Sequence, residues 1–373
     1  MNAPRMTPGR SSAAALLLMG LGTSTAFAAD GTFYGLLRDR DLTPFGFLRL
    51  DVRPVYAVAI EPGTWAFEST LGYQNTWALS PNVEKYLTSI EKNGRHELGP
   101  ADYDAIKALP GENYLLDVES ALLDLTFHYK FSTHWTGYVT ATAISYQGGF
   151  LDSTIEQFHK SFGFSTFGRP AVKKNDVNLI YDLKSQQLAY FDSPTDGGFT
   201  DPTIGMRYVG IALPQNWNLT AEVAAKVPVQ GRRLLLSTGK ADYGTQVSVQ
   251  RFSGNHAWYL SAAAVYYAGA SEPSPQDSQI IPTAIVGYEY QLTPTTNVNL
   301  QGYVSRSVYK HDETDLDELL GMKYQYSIGV RHRFGEQFLF TFGITENLQN
   351  VNNTPDIGFQ LGLAFLPKRA LRR

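Results

Sequence analysis

The sequence predicts an all-β protein: an antiparallel transmembrane β-barrel of about twelve strands, with short helices in long extracellular loops. Three observations predict it. The N-terminus has the layout of an export leader. About a dozen stretches of similar length alternate apolar and polar side chains. The connections between those stretches are alternately short and long.

The chain has 373 residues with a formal net charge of −4, and no cysteine. The mild acidity gives no electrostatic footprint for nucleic acid. The missing cysteines exclude thiol catalysis, cysteine zinc sites and disulfides. Residues 1–28 read as a signal peptide. Arg5 and Arg10 make a positive start, 13–22 (AAALLLMGLG) a short apolar core, and Ala26-Phe27-Ala28 a small-x-small cleavage site. A membrane anchor is the other reading, but the run is too short and too rich in Gly, Ser and Thr. Cleavage before Ala29 leaves 29 basic against 35 acidic residues, a net charge of −6. The organisation is then a 29–60 segment, periplasmic or lumenal, a barrel over 61–366 and a basic tail over 367–373.

Residues 29–60 carry Arg38, Asp39, Arg40 and Asp41, with Pro44 and Pro54 after them. Strands over 45–52 and 55–60 would raise the barrel to fourteen. The main alternating stretches are 65–78, 115–131, 135–147, 201–213, 217–228, 241–252, 257–268, 281–292, 297–309, 321–334, 337–349 and 355–366. Each can cross a bilayer as a tilted strand of roughly 9–11 residues. In 297–309, Val298, Leu300, Gly302 and Val304 share one face, and Asn297, Asn299, Gln301 and Tyr303 the other. A soluble sandwich shows the same alternation, so the connections decide. Short links at 132–134, 214–216, 253–255, 293–296 and 335–336 alternate with long ones at 79–114, 148–200, 229–240, 269–280, 310–320 and 350–354. Short turns on one rim and long loops on the other is the outer-membrane pattern, with the short rim and both termini in the periplasm.

Tryptophan placement agrees. Trp65, Trp135, Trp217 and Trp258 each follow a short turn, as in an interfacial aromatic girdle, and Trp77 falls near the opposite interface. The last stretch alternates Ile357, Phe359, Leu361, Leu363 and Phe365 with small or polar residues, resembling the terminal strand recognised by the outer-membrane assembly machinery. Mean hydropathy is only −0.21, because such strands are apolar on one face.

Two loops carry helix signals. Residues 100–109 (PADYDAIKAL) place Pro at a first helical position, with acids in the first turn. Residues 150–162 (FLDSTIEQFHKSF) put Phe150, Leu151, Ile155, Phe158 and Phe162 on one side of a helix, and Asp152, Glu156 and His159 on a neighbouring stripe. The run Gly148-Gly149-Phe150-Leu151-Asp152, continuing through Glu156, Phe158, His159, Phe162 and Gly163, resembles the central signature of domain of unknown function 3187, an uncharacterised proteobacterial outer-membrane family. Leu37-Arg38-Asp39-Arg40 with Pro44-Phe45, and Leu116-Asp117 with Glu119, resemble two further motifs, Asp41 standing where Asn is expected. The resemblance implies an outer-membrane barrel and no established activity.

The stripe Asp152, Glu156, His159 could hold a metal or form an acid–base pair. The plainer reading is a loop helix packed into the barrel mouth, with these groups hydrogen-bonded to lumen residues. No catalytic set, metal site or cofactor is assigned. On inward phases lie Glu68, Asp124, His128, Lys130, Arg207, Glu222, Lys226, Glu289, Lys323, Arg331 and Arg333. Among these, Glu222, Lys226, Arg331 and Arg333 join the loop stripe as candidate site residues. Such a lumen is either a polar channel or a salt-bridged filling, since twelve strands lie between filled and open barrels. The acidic run 311–318 (HDETDLDE) reads as a solvated loop, with cation bridging to surface lipopolysaccharide as the alternative. The leading expectation is a narrow, porin-like channel or small-molecule binding barrel, with loop 148–200 as its constriction. An outer-membrane enzyme acting on lipid or lipopolysaccharide, or a sealed surface-interaction barrel, are the alternatives. The expected partners are outer-membrane lipid, lipopolysaccharide, the assembly machinery and a small solute, with no nucleic acid.

Overall fold

Lipid on one side and polar groups on the other force a two-residue period on every strand, and the wall follows it. Twelve strands form it: β1 (Thr64–Leu79), β2 (Asn113–Lys130), β3 (Trp135–Gln147), β4 (Thr203–Leu213), β5 (Trp217–Lys226), β6 (Asp242–Ser253), β7 (His256–Tyr267), β8 (Gln279–Thr293), β9 (Thr296–Ser305), β10 (Lys323–Phe334), β11 (Phe338–Glu346) and β12 (Ile357–Phe365). They match the twelve expected stretches in number and order. The computed structural model describes residues 32–41, 43, 48–54, 61–191, 197–233, 235–270, 276–347 and 353–366. The expected leader 1–28, residues 55–60 and the basic tail 367–373 lie outside the described residues.

Each strand pairs antiparallel with its sequence neighbour. The sheet closes where β1 meets β12, in register from Phe67↔Phe365 to Asn75↔Ile357. Closure removes the edges that hydrocarbon cannot satisfy. Residues 48–54 form no strand, so the wall has twelve strands and not fourteen. The strand from 297 stops at Ser305, and Val308 and Tyr309 turn inward instead.

The outward face is apolar. Phe67, Leu71, Leu123, Phe127, Val139, Val223, Val247, Leu260, Val286, Leu300, Ile328, Phe342 and Leu361 are all exposed on it. At the short-turn rim Trp65, Trp135 and Trp258 are 48%, 37% and 40% exposed, as an interfacial girdle requires. Trp77 departs from expectation: it is only 5% exposed, because loop residues cover it.

Beyond the belt, β1 and β2 continue upward, and β2 takes a further partner there. A hairpin of Asn178–Leu183 and Gln186–Phe191 adds to β2 through Asn113↔Asp182 to Asp117↔Asn178. Alternation sorts this upper wall into two cores. Inside, Tyr114, Leu116, Tyr146, Leu179, Tyr181, Leu235, Leu236, Tyr267, Ile281, Tyr309 and Leu319 pack into an apolar lid across the long-loop mouth. Outside, Trp77, Leu79, Leu115 and Ile180 pack against Val83 and Leu87 of α1 (Pro81–Ile90) and Tyr103 and Ile106 of α2 (Pro100–Lys107). A third helix, α3 (Asp152–Phe162), follows β3. Both expected helices are therefore present in the two longest loops.

Leu361 lies mid-belt, paired with Leu71 and Phe342. Leu361→Arg is expected to destabilise the barrel by about 2–4 kcal/mol, read from denaturant unfolding in lipid vesicles.

Candidate functional site

The lumen is where chemistry could be placed, and the inward phases assigned from sequence hold there. Glu68, Asp124, His128, Arg207, Glu222, Lys226, Glu289, Lys323 and Arg331 are all buried in the barrel interior. Lys130 and Arg333, near the short-turn rim, are half-buried. A buried charge is tolerable only when paired. Part of the pairing is within the wall. Arg207 donates to Glu222 at 2.7 Å, and Tyr138 donates to the other Glu222 oxygen at 2.5 Å. Lys226 meets Asp242 at 2.8 Å.

The rest is supplied by residues 32–41, 43 and 48–54, which lie in the lumen as a plug. At its start, Glu289 accepts the backbone N–H groups of Tyr34 and Gly35 at 2.8 and 2.9 Å. Arg331 donates to the Tyr34 carbonyl. Asn299 donates to the Gly35 carbonyl at 2.8 Å, and Gln301 accepts from the Leu37 N–H at 2.9 Å. Side chains on β8, β9 and β10 thus take the place of a neighbouring strand. Further along, Lys323 reaches Asp41 at 2.6 Å and Arg53 reaches Asp124 at 2.7 Å. Arg49 donates to the Tyr303 hydroxyl at 2.7 Å, and the Leu50 N–H to Asp242 at 2.8 Å.

Apolar side chains of the plug need recesses in a polar wall, and glycines on the inward phase provide them. A Cβ on Gly287 would lie 2.2 Å from Leu36 Cδ2, and one on Gly329 would lie 2.8 Å from Leu37 Cδ2. Gly244 likewise makes room for Leu50 and Val52. Leu36 and Leu37 are fully buried as a result. Cavities beside Arg38 amount to about 10 and 20 Å³, room for a water or two and not for a solute.

The loop stripe lies elsewhere. Along β2, Leu122 and Asp124 face inward, while Leu123 and Phe127 face lipid. Glu119 shares the lipid-facing phase, yet it is covered by the start of α3. Its carboxylate accepts the N–H groups of Phe150 and Leu151 at 3.1 and 2.7 Å, and the Tyr73 hydroxyl. α3 therefore stands against the outer wall, not in the mouth. It is not the constriction expected of loop 148–200; of that loop, Leu179, Tyr181 and Leu183 reach the inner lid.

The apolar stripe of α3 is also split: Leu151 and Ile155 are buried, whereas Phe150, Phe158 and Phe162 are exposed. Asp152 binds Arg169 at 2.9 Å and accepts the Asn175 N–H at 2.8 Å. Glu156 pairs with Arg95 at 2.6 Å and Lys174 at 2.9 Å. His159 Nδ1 lies 2.6 Å from the Ser165 carbonyl. Each of the three has its own partners, and they do not converge on a point. Among the described residues no three His, Asp or Glu side chains are grouped to hold a metal. The acidic run is not simply solvated either. Glu313 is buried and accepts the N–H groups of Asp277 and Lys310 at 2.7 and 3.0 Å.

A family model described as "Protein of unknown function (DUF3187)" matches residues 108–366, which include the central signature. The chain belongs to the DUF3187 family. No curated protein matches it. Among solved structures, this family member is similar to the COG4313 outer membrane channel from Pseudomonas putida F1. Identity is 13%, over 84% of this chain and 99% of that one, with a TM-score of 0.50. It is also matched to the NanC porin, at 7% identity over 81% of this chain and 100% of that one, TM-score 0.42. The P. putida toluene transporter TodX matches at 9% identity over 83% and 91%, TM-score 0.37. The first likeness shows a shared outer-membrane barrel fold.

Sequence reasoning placed the inward charges but missed most of their partners. Replacing Glu289 by Ala orphans two plug N–H groups, at a cost of about 1–3 kcal/mol each. Glu289→Ala is expected to expose residues 32–41 to protease while the barrel keeps its heat-modifiable gel mobility. A second expectation concerns α3. Partial burial pushes the Glu156 carboxyl up, but Lys174 and Arg95 outweigh it and hold it below its ordinary value. A carboxylate held low adds stability at neutral pH, and that contribution fades below about pH 4 as the pH falls through the lowered value. Hydrogen-exchange protection of α3 is expected to drop over that range, and to drop less in Glu156→Gln.

Proposed function

We propose that this protein is an outer-membrane channel for small polar solutes, closed at rest by its own N-terminal plug. It is exported by leader 1–28, placed in the bilayer by the outer-membrane assembly machinery, and surrounded there by lipid and lipopolysaccharide. The observation that carries the reading is the chemistry of the plug seat. The wall behind the plug is Asn297, Asn299, Gln301, Glu289 and Gln246, groups that water satisfies as well as a peptide does. Withdrawal of the plug exchanges one set of hydrogen bonds for another and leaves a wettable passage. Both signs of charge line that passage, so the solutes it suits are polar without a strong preference for anions or cations.

The density of the filling favours a second reading, a sealed barrel serving as a surface scaffold. The apolar lid across the long-loop mouth must also part before a solute passes.

Planar-bilayer conductance separates the two readings. Gly287→Val drives a side chain into the Leu36 recess and is expected to turn brief, small openings into sustained ones. Tying residue 37 to residue 329 through introduced cysteines and a short thiol cross-linker is expected to abolish them, with recovery on cleaving the linker. Silence from both the native protein and Gly287→Val would favour the scaffold.

A further inference from the structure

The family signature after β3 is spent almost wholly on pinning α3 to the outer wall. Gly148 is required because a Cβ there would lie 1.9 Å from the Asn175 carbonyl oxygen. Gly149, at φ +75°, lies against the Glu119 carboxylate, where a Cβ would also come within 1.9 Å. Glu119, Asp152, Glu156 and His159 make the contacts described above, and Gly163 at φ +72° ends the helix. Phe158 and Phe162 have no such use. With Phe150 and Phe164 they are 49–66% exposed, four bare aromatic rings on or beside one helix. The rings associate with one another: Phe158 and Phe162 centroids are 4.8 Å apart, and Phe164 is 6.1 Å from Phe158. Leaving so much apolar area in water is costly.

The position of Phe150, at the start of α3, points to what covers these rings. Phe150 stacks on Tyr73 at 5.2 Å. Tyr73 is on the lipid-facing phase of β1, two residues above Leu71, and it pairs with Phe359 of β12. The start of α3 therefore meets the upper edge of the barrel's apolar belt at the β12–β1–β2 seam, with Phe158, Phe162 and Phe164 further along the same helix and in the turn after it. It belongs to the long-loop side, opposite the tryptophan girdle. An exposed aromatic face at that height, on a helix tethered at right distance by charged groups, has the makings of an interfacial anchor.

We infer that α3 and the turn after it are a lipid-docking paddle. Phe150, Phe158, Phe162 and Phe164 insert at the boundary between headgroups and acyl chains of the outer leaflet. The inference rests on the barrel standing in a membrane, and it is independent of whether solutes cross it.

The absence of cysteine gives a direct test. A spin label is attached in separate variants at Phe162→Cys, at Leu361→Cys in the belt, and at Ser89→Cys on exposed α1. The full-length protein is reconstituted in vesicles of phosphatidylethanolamine and phosphatidylglycerol. Collision with oxygen, which concentrates in lipid, is compared with collision with a water-soluble nickel chelate. The label at residue 162 is expected to prefer oxygen, as at 361, with 89 preferring nickel. Nickel preference at 162 with oxygen preference at 361 overturns the paddle alone. Nickel preference at 361 overturns the membrane reading itself. Shielding of 162 from both reagents, with dipolar broadening between labels, assigns the face to a second copy and also overturns the proposal. Phe162→Cys tests the site without removing the other three rings, and Phe164→Cys repeats it at a position outside the helix.

Discussion

A peptide group facing hydrocarbon has no water to bond to, and the whole molecule is arranged around that constraint. It forces the β1–β12 seam to close. Closure then creates a second problem on the other side of the wall. The inward phase is polar, and once an apolar lid covers the long-loop mouth those groups cannot all rely on bulk water. The plug answers this with backbone and charged side chains, so that Glu289, Asn299 and Gln301 bond to a chain running past them as they would to another strand. Lid, plug and wall are thus one consequence of a single rule applied twice, first to the outside and then to the inside.

The same rule explains what could be read in the sequence. Lipid against polar interior imposes a period of two, and this is why twelve strands and the inward placement of Arg207, Glu222, Lys226 and Arg331 were legible. The segment 29–60 reads as either periplasmic or lumenal, and its seat in the wall was not legible, because residues 32–54 have no period of their own. Many of their partners lie far along the chain: Tyr34 and Glu289 are separated by 255 positions. A signal was nonetheless present. Gly287, Gly329 and Gly343 sit on a phase where the neighbouring residues are polar, and a gap in a polar row implies something that fits into it.

For α3 the helix itself was legible, since Leu151 and Ile155 recur at helical spacing. Its side of the wall was not. The overlooked clue was Glu119, a carboxylate on the phase that Leu123 and Phe127 present to lipid. A bare charge there is expensive, so a covering element had to exist above the belt. The motif resemblance, Gly148 through Gly163, marked the residues that do the covering without saying what they cover.

The plug also constrains the order in which the molecule can be put together. Its residues leave the ribosome ahead of every strand, yet they bond to β8, β9 and β10, at separations of 254 to 297 positions. Early strands offer part of the seat, as Asp124 of β2 does for Arg53, but the seat is whole only once β8, β9 and β10 have been made. A chain made from its N-terminal side therefore carries this stretch through the synthesis of every strand before its last hydrogen-bond partners exist.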